Sequence, residues 1–478
     1  KFLVLALTAV AMAGGWYCLK NIRLDAIPDL SDTQVIVYSR WDRSPDIIED
    51  QVTYPIVTAL LGAPNVKAVR GFSDFGFSYV YVVFQDGTDI YWARSRVLEY
   101  LSKILPQMPE GVRTELGPDA TGVGWVYQYA LVDKTGRHDL AQLRSFQDWT
   151  LRYYLQSVPG VAEVASIGGF QKQYQVQVDP NALAAYRIPI GKVVEAIRDG
   201  NNDVGGRLVE FAGAEYMIRG RGYAKSVEDI EQIVVGRDPR GTPILVKSVA
   251  RVSVGPEIRR GIADLDGEGD TVGGIVVMRH GENALTVIKK VKARLEEVKP
   301  SLPEGVEVLE TYDRSELIEG AIATLKDELF MQLLLVSLVI LLFLWHIPSA
   351  LVPIVTIPIS TMLAFIPMYF MGVSANIMSS AGIMLSIGVL VDGSMVEVEN
   401  AYKKLQLWDA DGRKGDFHAV RLQALQEVGP SVFYSLMVVA VAFLPIFALV
   451  DQEGRLFKPL AYTKNLTMLV AAFLAITL

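Results

Sequence analysis

The sequence has few of the residues that build covalently linked or metal-bound scaffolds. Among its 478 residues only Cys18 is a cysteine, which excludes a disulfide framework and a cysteine-based zinc finger. The four histidines are scattered and form no metal-ligand motif: His138, His280, His346 and His418. Basic residues are also too few for a nucleic-acid-binding surface, since 45 Lys and Arg stand against 53 Asp and Glu and give a net charge of −8.

Charge is missing altogether from one long segment. Residues 330–391 contain no Asp, Glu, Lys or Arg, although 21% of the whole chain is charged. Uninterrupted apolar stretches of about 20 residues are typical of membrane spans, so a purely soluble protein is excluded. The chain starts inside one apolar run, without Met, and stops inside another. We therefore expect a fragment of a longer protein.

The hydropathy pattern predicts six transmembrane helices. The first run, 2–19, is longer than the apolar core of a signal peptide and has Trp16 and Tyr17 at its end, as interface anchors do. Lys and Arg are concentrated between residues 401 and 430, which predicts that this loop is cytoplasmic and that the polar segment before the second span lies on the opposite side. The other five predicted spans are 330–345, 350–372, 375–400, 432–450 and 459–478.

The polar segment shows a repeated alternation between strand and helix periodicity. The order β-α-β-β-α-β occurs once completely and a second time with an interruption, which is the plan of a ferredoxin-like module. The predicted fold is therefore an α/β membrane protein, with a six-helix bundle and two ferredoxin-like βαβ modules that carry an inserted subdomain. Its predicted parts are 1–19 (first span), 20–125 (first module), 126–180 and 261–329 (second module), 181–260 (insertion) and 330–478 (spans two to six).

The strongest functional signal is three acids in the fourth span, Asp392, Glu397 and Glu399. A carboxylate near the bilayer centre costs about 2.5–3.5 kcal/mol on insertion scales, so such a residue indicates function. Residues seven apart differ by about 20° around a helix, which places Asp392 and Glu399 on one face and Glu397 about 140° from Asp392. With no basic residue in the predicted span, the acids predict a proton relay. The alternative for Glu397 and Glu399 is a helix end at the cytoplasmic interface.

Methionine is abundant in the predicted spans, which hold ten of the 13 methionines. Thioether sulfur is a soft ligand that suits Cu(I) or Ag(I). The alternative is that these side chains fill space in apolar helices, for which methionine is well suited.

Several segments resemble the heavy-metal efflux branch of the resistance–nodulation–division (RND) superfamily, which includes copper/silver and cobalt–zinc–cadmium exporters. The resemblance runs nearly end to end and covers an N-terminal half. The segments that carry it are Asp25-Ala-Ile-Pro28-Asp29-Leu-Ser-Asp32, Gln51-Val-Thr-Tyr-Pro55, Val69-Arg-Gly-Phe-Ser73, Gly87-Thr-Asp89-Ile-Tyr-Trp92-Ala-Arg94-Ser-Arg96, Leu116-Gly-Pro-Asp-Ala-Thr-Gly-Val-Gly-Trp125 and Glu453-Gly-Arg-Leu-Phe457.

The resemblance implies a proton-driven metal exporter with twelve spans in the whole protein. It implies a homotrimer in the bacterial inner membrane, with a large periplasmic porter domain. The insertion 181–260 would dock towards a periplasmic adaptor protein and an outer-membrane channel. No cofactor is implied other than the transported metal, and most metal ligands are expected in the second half.

The resemblance does not decide whether the transported metal is monovalent, Cu(I) or Ag(I), or divalent. Ile258, Leu390 and Glu397 stand where copper/silver exporters tend to have Met, whereas Met378 and Met468 match that type and are the candidate metal ligands in this half. Only three methionines lie in the extracytoplasmic domain, where acids are plentiful. Because Zn(II) accepts carboxylate and imidazole ligands, a divalent cargo, Zn(II), is predicted, with Cu(I)/Ag(I) as the alternative.

Two more remote functions are a multidrug exporter of the same superfamily and a non-pumping receptor or export-assisting subunit on the same scaffold. The in-line acids Asp392 and Glu399 favour a pump over the receptor. An enzyme is disfavoured, because the sequence offers no arguable catalytic constellation.

Overall fold

The first element of the chain is an apolar helix. The structure is a computed structural model that describes residues 2–259, 261–344 and 347–477. Helix α1 (Phe2–Asn21) has Lys20 in its last turn, where a cation complements the helix dipole. The Lys20 ammonium also lies 5.2 Å from the ring centroid of Trp16. This pairing of an aromatic and a basic side chain at one helix end fits a membrane interface.

The first module is a four-stranded antiparallel sheet. Its elements are β1 (Gln34–Arg40), α2 (Pro45–Ile48), α3 (Tyr54–Leu60), β2 (Val66–Asp74), β3 (Phe77–Phe84), α4 (Ile90–Ile104) and β4 (Arg113–Leu116). The strand order is β2-β3-β1-β4. Helix α4 begins at an N-cap, since the Asp89 side chain accepts the backbone N–H of Trp92 at 2.8 Å. Alternate side chains of β1 and β3 point to the helices and form the core with them.

The second module is interrupted after its second strand by the insertion. Its first half comprises β5 (Trp125–Asp133), α5 (Leu140–Phe146), α6 (Arg152–Gln156) and β6 (Val161–Gly168). The insertion comprises β7 (Lys172–Val178), α7 (Pro180–Tyr186), α8 (Ile190–Gly200), β8 (Val204–Phe211), β9 (Ala214–Gly220), α9 (Val227–Glu231), β10 (Val234–Arg237), β11 (Pro243–Leu245), α10 (Val246–Val249) and β12 (Ala250–Pro256). Strands β7 and β12 pair antiparallel, so the segment between them leaves the module and returns at one place.

The second module is completed after the insertion, by β13 (Val272–Met278), α11 (Ala284–Val298) and β14 (Val306–Asp313). Its sheet has the order β14-β5-β13-β6. If the four strands of each module are numbered along the chain, both sheets have the same order, with the last strand beside the first and the first beside the third. The repeat seen in the sequence is therefore a repeat of topology.

The insertion has a small core of its own and one exposed hairpin. Buried aliphatic side chains from α8, α9, β10, β11, α10 and β12 form the core. The hairpin of β8 and β9 is exposed at every residue. Phe211 and Met217, for example, are 72% and 79% exposed. The sequence pattern did not predict β8, because no face of this strand is buried and its apolar residues do not alternate.

The remaining long helices follow the second module. They are α12 (Arg314–Leu344), α13 (Ile347–Phe370), α14 (Ile377–Ala410), α15 (Phe417–Ala442) and α16 (Asp451–Thr477). They pack with one another and, through α13, with α1. Among the described residues three helices are long and apolar enough to cross a membrane, Leu3–Asn21, Ile377–Ala410 and Phe417–Ala448. The six-span count thus stays a prediction, and Trp345 of the second predicted span lies outside the described residues.

The segment predicted as a cytoplasmic loop, 401–430, is mostly helical. Helix α14 runs on to Ala410 and α15 begins at Phe417, so the connection is only residues 411–416. Both helices continue beyond their apolar stretches, because the charged residues there are also compatible with a helix. A hydropathy profile gives the length of the apolar stretch and not the length of the helix.

Close packing of α14 on α16 depends on a glycine. A Cβ atom on Gly382 would lie 2.0 Å from Thr463 Oγ1 and 2.5 Å from the Leu460 carbonyl oxygen. Contacts this short are not tolerated by any larger residue without moving the helices apart. Small residues at such a crossing are the usual means of close approach between membrane helices.

Candidate functional site

One face of α14 is left uncovered by the rest of the described chain. The exposed residues recur at helical spacing, although α12, α13, α15 and α16 pack against other faces of the same helix. Asp392 lies on this face and is exposed. Glu399 lies on it too, as the seven-residue spacing predicts. The stripe consists of Leu385, Gly388, Asp392, Val396 and Glu399.

Glu399 has a basic partner that the predicted span did not include. Its Oε1 lies 2.8 Å from the ammonium nitrogen of Lys403, one turn further along α14. Both side chains are more than half exposed. The prediction that the acids have no neutralising residue therefore holds for the segment 375–400 but not for the helix. Such an exposed pair contributes little to stability.

Glu397 lies on a different face of α14 from Asp392, as the 140° separation predicts. One of its carboxylate oxygens, Oε1, is buried without a hydrogen-bond partner among the described residues. The structure thus separates the three predicted acids into an uncovered pair, Asp392 and Glu399, and one acid turned into the bundle.

A buried lysine in α16 is a candidate that the sequence analysis missed. Lys464 is 6% exposed, and its ammonium nitrogen lies 3.2 Å from the ring centroid of Phe443. Its backbone carbonyl accepts a hydrogen bond from Ser386 of α14 at 3.3 Å. The available signal was a single basic residue inside the sixth predicted span, the same criterion that singled out Asp392.

The two candidate methionine ligands, Met378 of α14 and Met468 of α16, lie in different helices and differ in burial. Met468 is fully buried in the apolar core of the bundle, which agrees with a packing role. Met378 is half-buried in the first turn of α14, where its backbone N–H donates to the side chain of the N-cap Asn376. No group of three His, Cys, Asp or Glu side chains converges among the residues that the structure describes.

An arginine clamps the start of α16 to the first module. Arg455 donates from Nη1 to the carbonyl of Leu30 at 2.8 Å, and from Nη2 to Asp32 at 2.7 Å and to Asp86 at 2.5 Å. Its side chain is only 18% exposed. The hydrogen bond from Arg455 holds the pKa of Asp86 below its ordinary value. These contacts connect the start of α16 directly to the first module.

A second connection lies at the start of α12. Arg314 is 5% exposed, pairs with Asp25 at 2.8 Å and also bonds the carbonyl of Val123. Burial raises the pKa of Asp25, and the neighbouring Arg314 charge opposes that rise. Arg314 at the start of α12 therefore connects this helix to two other parts of the chain. They are the segment after α1, through Asp25, and the linker between the two modules, through Val123.

The family of this chain follows from its similarity to known proteins. Residues 1–478 match the model of the AcrB/AcrD/AcrF family. The chain belongs to this family. Curated relatives include cation efflux system protein CusA of Escherichia coli (strain K12), 51% identical, and putative cation efflux system protein SilA of Salmonella typhimurium, 50% identical, each covering 100% of the chain and 46% of the relative. Cobalt-zinc-cadmium resistance protein CzcA of Cupriavidus metallidurans is 36% identical, with the same coverage.

Solved structures agree with the curated relatives. A crystal structure of a heavy metal efflux pump superposes with a TM-score of 0.88 at 32% identity, covering 100% of the chain and 46% of that structure. The predicted membership of the heavy-metal branch of the RND superfamily is thereby confirmed. The chain spans about half the length of the curated relatives that it matches, 46%, as expected for a half transporter.

Proposed function

We propose that this chain forms half of a proton-driven heavy-metal exporter of the bacterial inner membrane, a secondary transporter rather than an enzyme. The observation that carries the proposal is the whole-chain likeness to a heavy metal efflux pump, combined with two acids, Asp392 and Glu399, on the uncovered face of α14. In this proposal the second half of the transporter covers the face that carries Asp392 and so removes this side chain from water. Protonation of Asp392 then changes the charge inside the membrane.

Asp392 is proposed to bind the transported proton, with Glu399 as the next carrier towards the cytoplasm. One elementary charge that crosses 100 mV releases about 2.3 kcal/mol, so one or two protons per cycle supply a useful driving force. Lys464 is a basic residue buried in the same bundle. The connections at Arg455 and Arg314 would transmit helix movement to the modules, because each guanidinium holds a long helix and the porter domain at once.

The proposed cargo is a soft monovalent ion, Cu(I) or Ag(I), and the preference for Zn(II) drawn from the sequence is not favoured. Cation efflux system protein CusA and putative cation efflux system protein SilA are 50–51% identical, whereas cobalt-zinc-cadmium resistance protein CzcA is 36% identical. The zinc preference came from the few methionines in the extracytoplasmic domain. That count carries little weight, because most ligands are expected outside this half. Met378, half-buried at the start of α14, is the proposed soft donor on this side.

The proposal is tested on the full-length transporter in proteoliposomes with an imposed proton gradient. Cu(I), held under reductant, or Ag(I) should be transported in a gradient-dependent way, and Zn(II) should not. Met378→Leu should weaken transport of the soft ion, with Met371→Leu as the matched control outside the candidate set. Gradient-dependent Zn(II) transport without Cu(I) or Ag(I) transport would overturn the choice of cargo.

The proposed assembly is a homotrimer that joins a periplasmic adaptor protein and an outer-membrane channel. The feature that supports it is the hairpin of β8 and β9, whose apolar side chains are exposed on both faces. Exposed apolar surface of this kind indicates a protein partner. The two modules with equal strand order are proposed to be the ferredoxin-like porter subdomains of this half.

A further inference from the structure

The face of α14 that packs on α15 carries a row of polar residues. A Cβ atom on Gly393 would lie 3.2 Å from Val432 Cγ1, and Asn400 Nδ2 donates to the carbonyl of Ala424 at 2.8 Å. These two contacts define the seam between the helices. The α14 residues that follow it at spacings of four, three and four are Gly393, Glu397, Asn400 and Lys404.

Glu397 is the deepest titratable residue of this seam. Its Oε1 is buried and has no hydrogen-bond partner among the described residues. A buried polar atom without a partner is costly, and an ionised carboxylate more so. At this position a carboxyl group that alternates between its protonated and ionised forms is therefore favoured. A carboxylate that stays ionised is disfavoured.

The seam becomes polar and then open towards the cytoplasmic end of the helices. Asn400, one turn beyond Glu397, donates to the Ala424 carbonyl of α15, one turn before Glu427. Glu427 Oε2 lies 2.9 Å from Lys404 Nζ, and these side chains are 53% and 34% exposed. Polar side chains thus recur along the seam from a buried carboxylate to the surface.

The other charged groups around α14 are placed differently. On α14 itself, Asp392 and Glu399 occupy the uncovered face. Helix α15 adds exposed His418 and Arg421 nearer its N-terminus, and α16 adds Lys464, held against an aromatic ring. The apolar segments of α12 and α13 that pack on α14 contain no charged residue.

We propose that the seam between α14 and α15 is a second proton route, required in each transport cycle together with the Asp392 face, in which Glu397 is the buried carrier and Glu427 with Lys404 forms the cytoplasmic mouth. The inference rests on the proposed proton-driven function and adds a path distinct from the Asp392 face. A proton binds Glu397 Oε1, converts the carboxylate to the neutral acid, and leaves to water at the mouth beside the ion pair of Glu427 and Lys404.

The decisive experiment measures proton movement and metal export by the full-length transporter in vesicles that contain a pH-sensitive dye. Glu397→Gln should slow both by roughly 100-fold, the lower end of what a positioned proton-transfer group contributes. Glu397→Asp should recover most of the rate with a shifted pH profile, and metal binding should not change in either variant. A Glu397→Gln transporter with the wild-type rate and pH profile would overturn the proposal. If Asp392→Asn also has the wild-type rate, the proton-driven function itself fails.

A second measurement does not depend on activity. Cys18 is the only cysteine of this chain, so single cysteines are introduced on a background of Cys18→Ala, with any cysteine of the second half of the transporter replaced as well. A cysteine at position 400, in Asn400→Cys, should react with an impermeant thiol reagent from the cytoplasmic side. A cysteine at position 386, in Ser386→Cys, is the matched control, because Ser386 is fully buried against α16. Equal lack of reaction at both positions would overturn the route.

Discussion

The clamp at Arg455 supports a quantitative prediction about how firmly the start of α16 is tied to the first module. Replacing Arg455 by Gln removes the charge and leaves one amide in place of a guanidinium that binds three acceptors. A hydrogen bond to a charged group contributes about 1.5–3 kcal/mol when it is protected from solvent.

The magnitude is reduced by exposure of the two carboxylates. Asp32 and Asp86 are 38% and 45% exposed, so solvent screens both ion pairs. Gln still has one amide that reaches a single acceptor. We therefore expect a net loss of about 2 kcal/mol, which is roughly a 30-fold increase in the local opening equilibrium at the start of α16.

Backbone hydrogen exchange measures this opening. The amides in the first turns of α16 should exchange about 30-fold faster in Arg455→Gln than in the wild type, because local opening governs their protection. Lys458→Gln is the control, since it removes the same charge from the same end of α16 at a residue without an ion pair among the described residues. Equal exchange in the two variants would refute the reasoning.

The clamp also predicts a direction with pH. The hydrogen bond from Arg455 lowers the pKa of Asp86 in the closed state. Its stabilising contribution is therefore complete above the ordinary Asp pKa of about 3.9 and is lost as pH falls through the lowered value. After correction for intrinsic exchange rates, protection of these amides should fall at acidic pH in the wild type and change less in Arg455→Gln. An equal pH response would show that Asp86 does not sense the clamp.

Three further predictions follow from the bundle. Asp392→Asn should abolish metal resistance without loss of expression, whereas Glu399→Gln should impair resistance less, because Glu399 lies nearer the interface. Resistance assays with immunoblots check both variants. Wild-type resistance in Asp392→Asn would contradict the proposed relay. Gly382→Val should lower the melting temperature of the full-length protein, because α14 and α16 must separate, and an unchanged value would contradict their close packing. A reporter fused at Asp411 should be cytoplasmic and one at Gly241 periplasmic, and the reverse pattern would contradict the topology.

Local physical chemistry was enough to predict most elements and one relation within the site. Strand alternation and helix periodicity depend on neighbouring residues, so the predicted order β-α-β-β-α-β is the order observed in the first module. The shared face of Asp392 and Glu399 follows from the pitch of one helix and needs no tertiary information. The order of elements likewise predicted that the two modules repeat, and both sheets have the same strand order.

Only the tertiary structure decided what each of these residues meets. Arg455 bonds Asp86, 369 residues away, and such a pairing depends on the path of the whole chain. The pitch of α14 separates Glu397 from Asp392, but it does not say that α15 covers one of these faces while the other stays open. Exposed β8 left no periodic pattern to detect, because apolar residues alternate only where a sheet has a buried face. Local periodicity records which side of an element is buried, whereas the partner on that side is determined by the packing of distant segments.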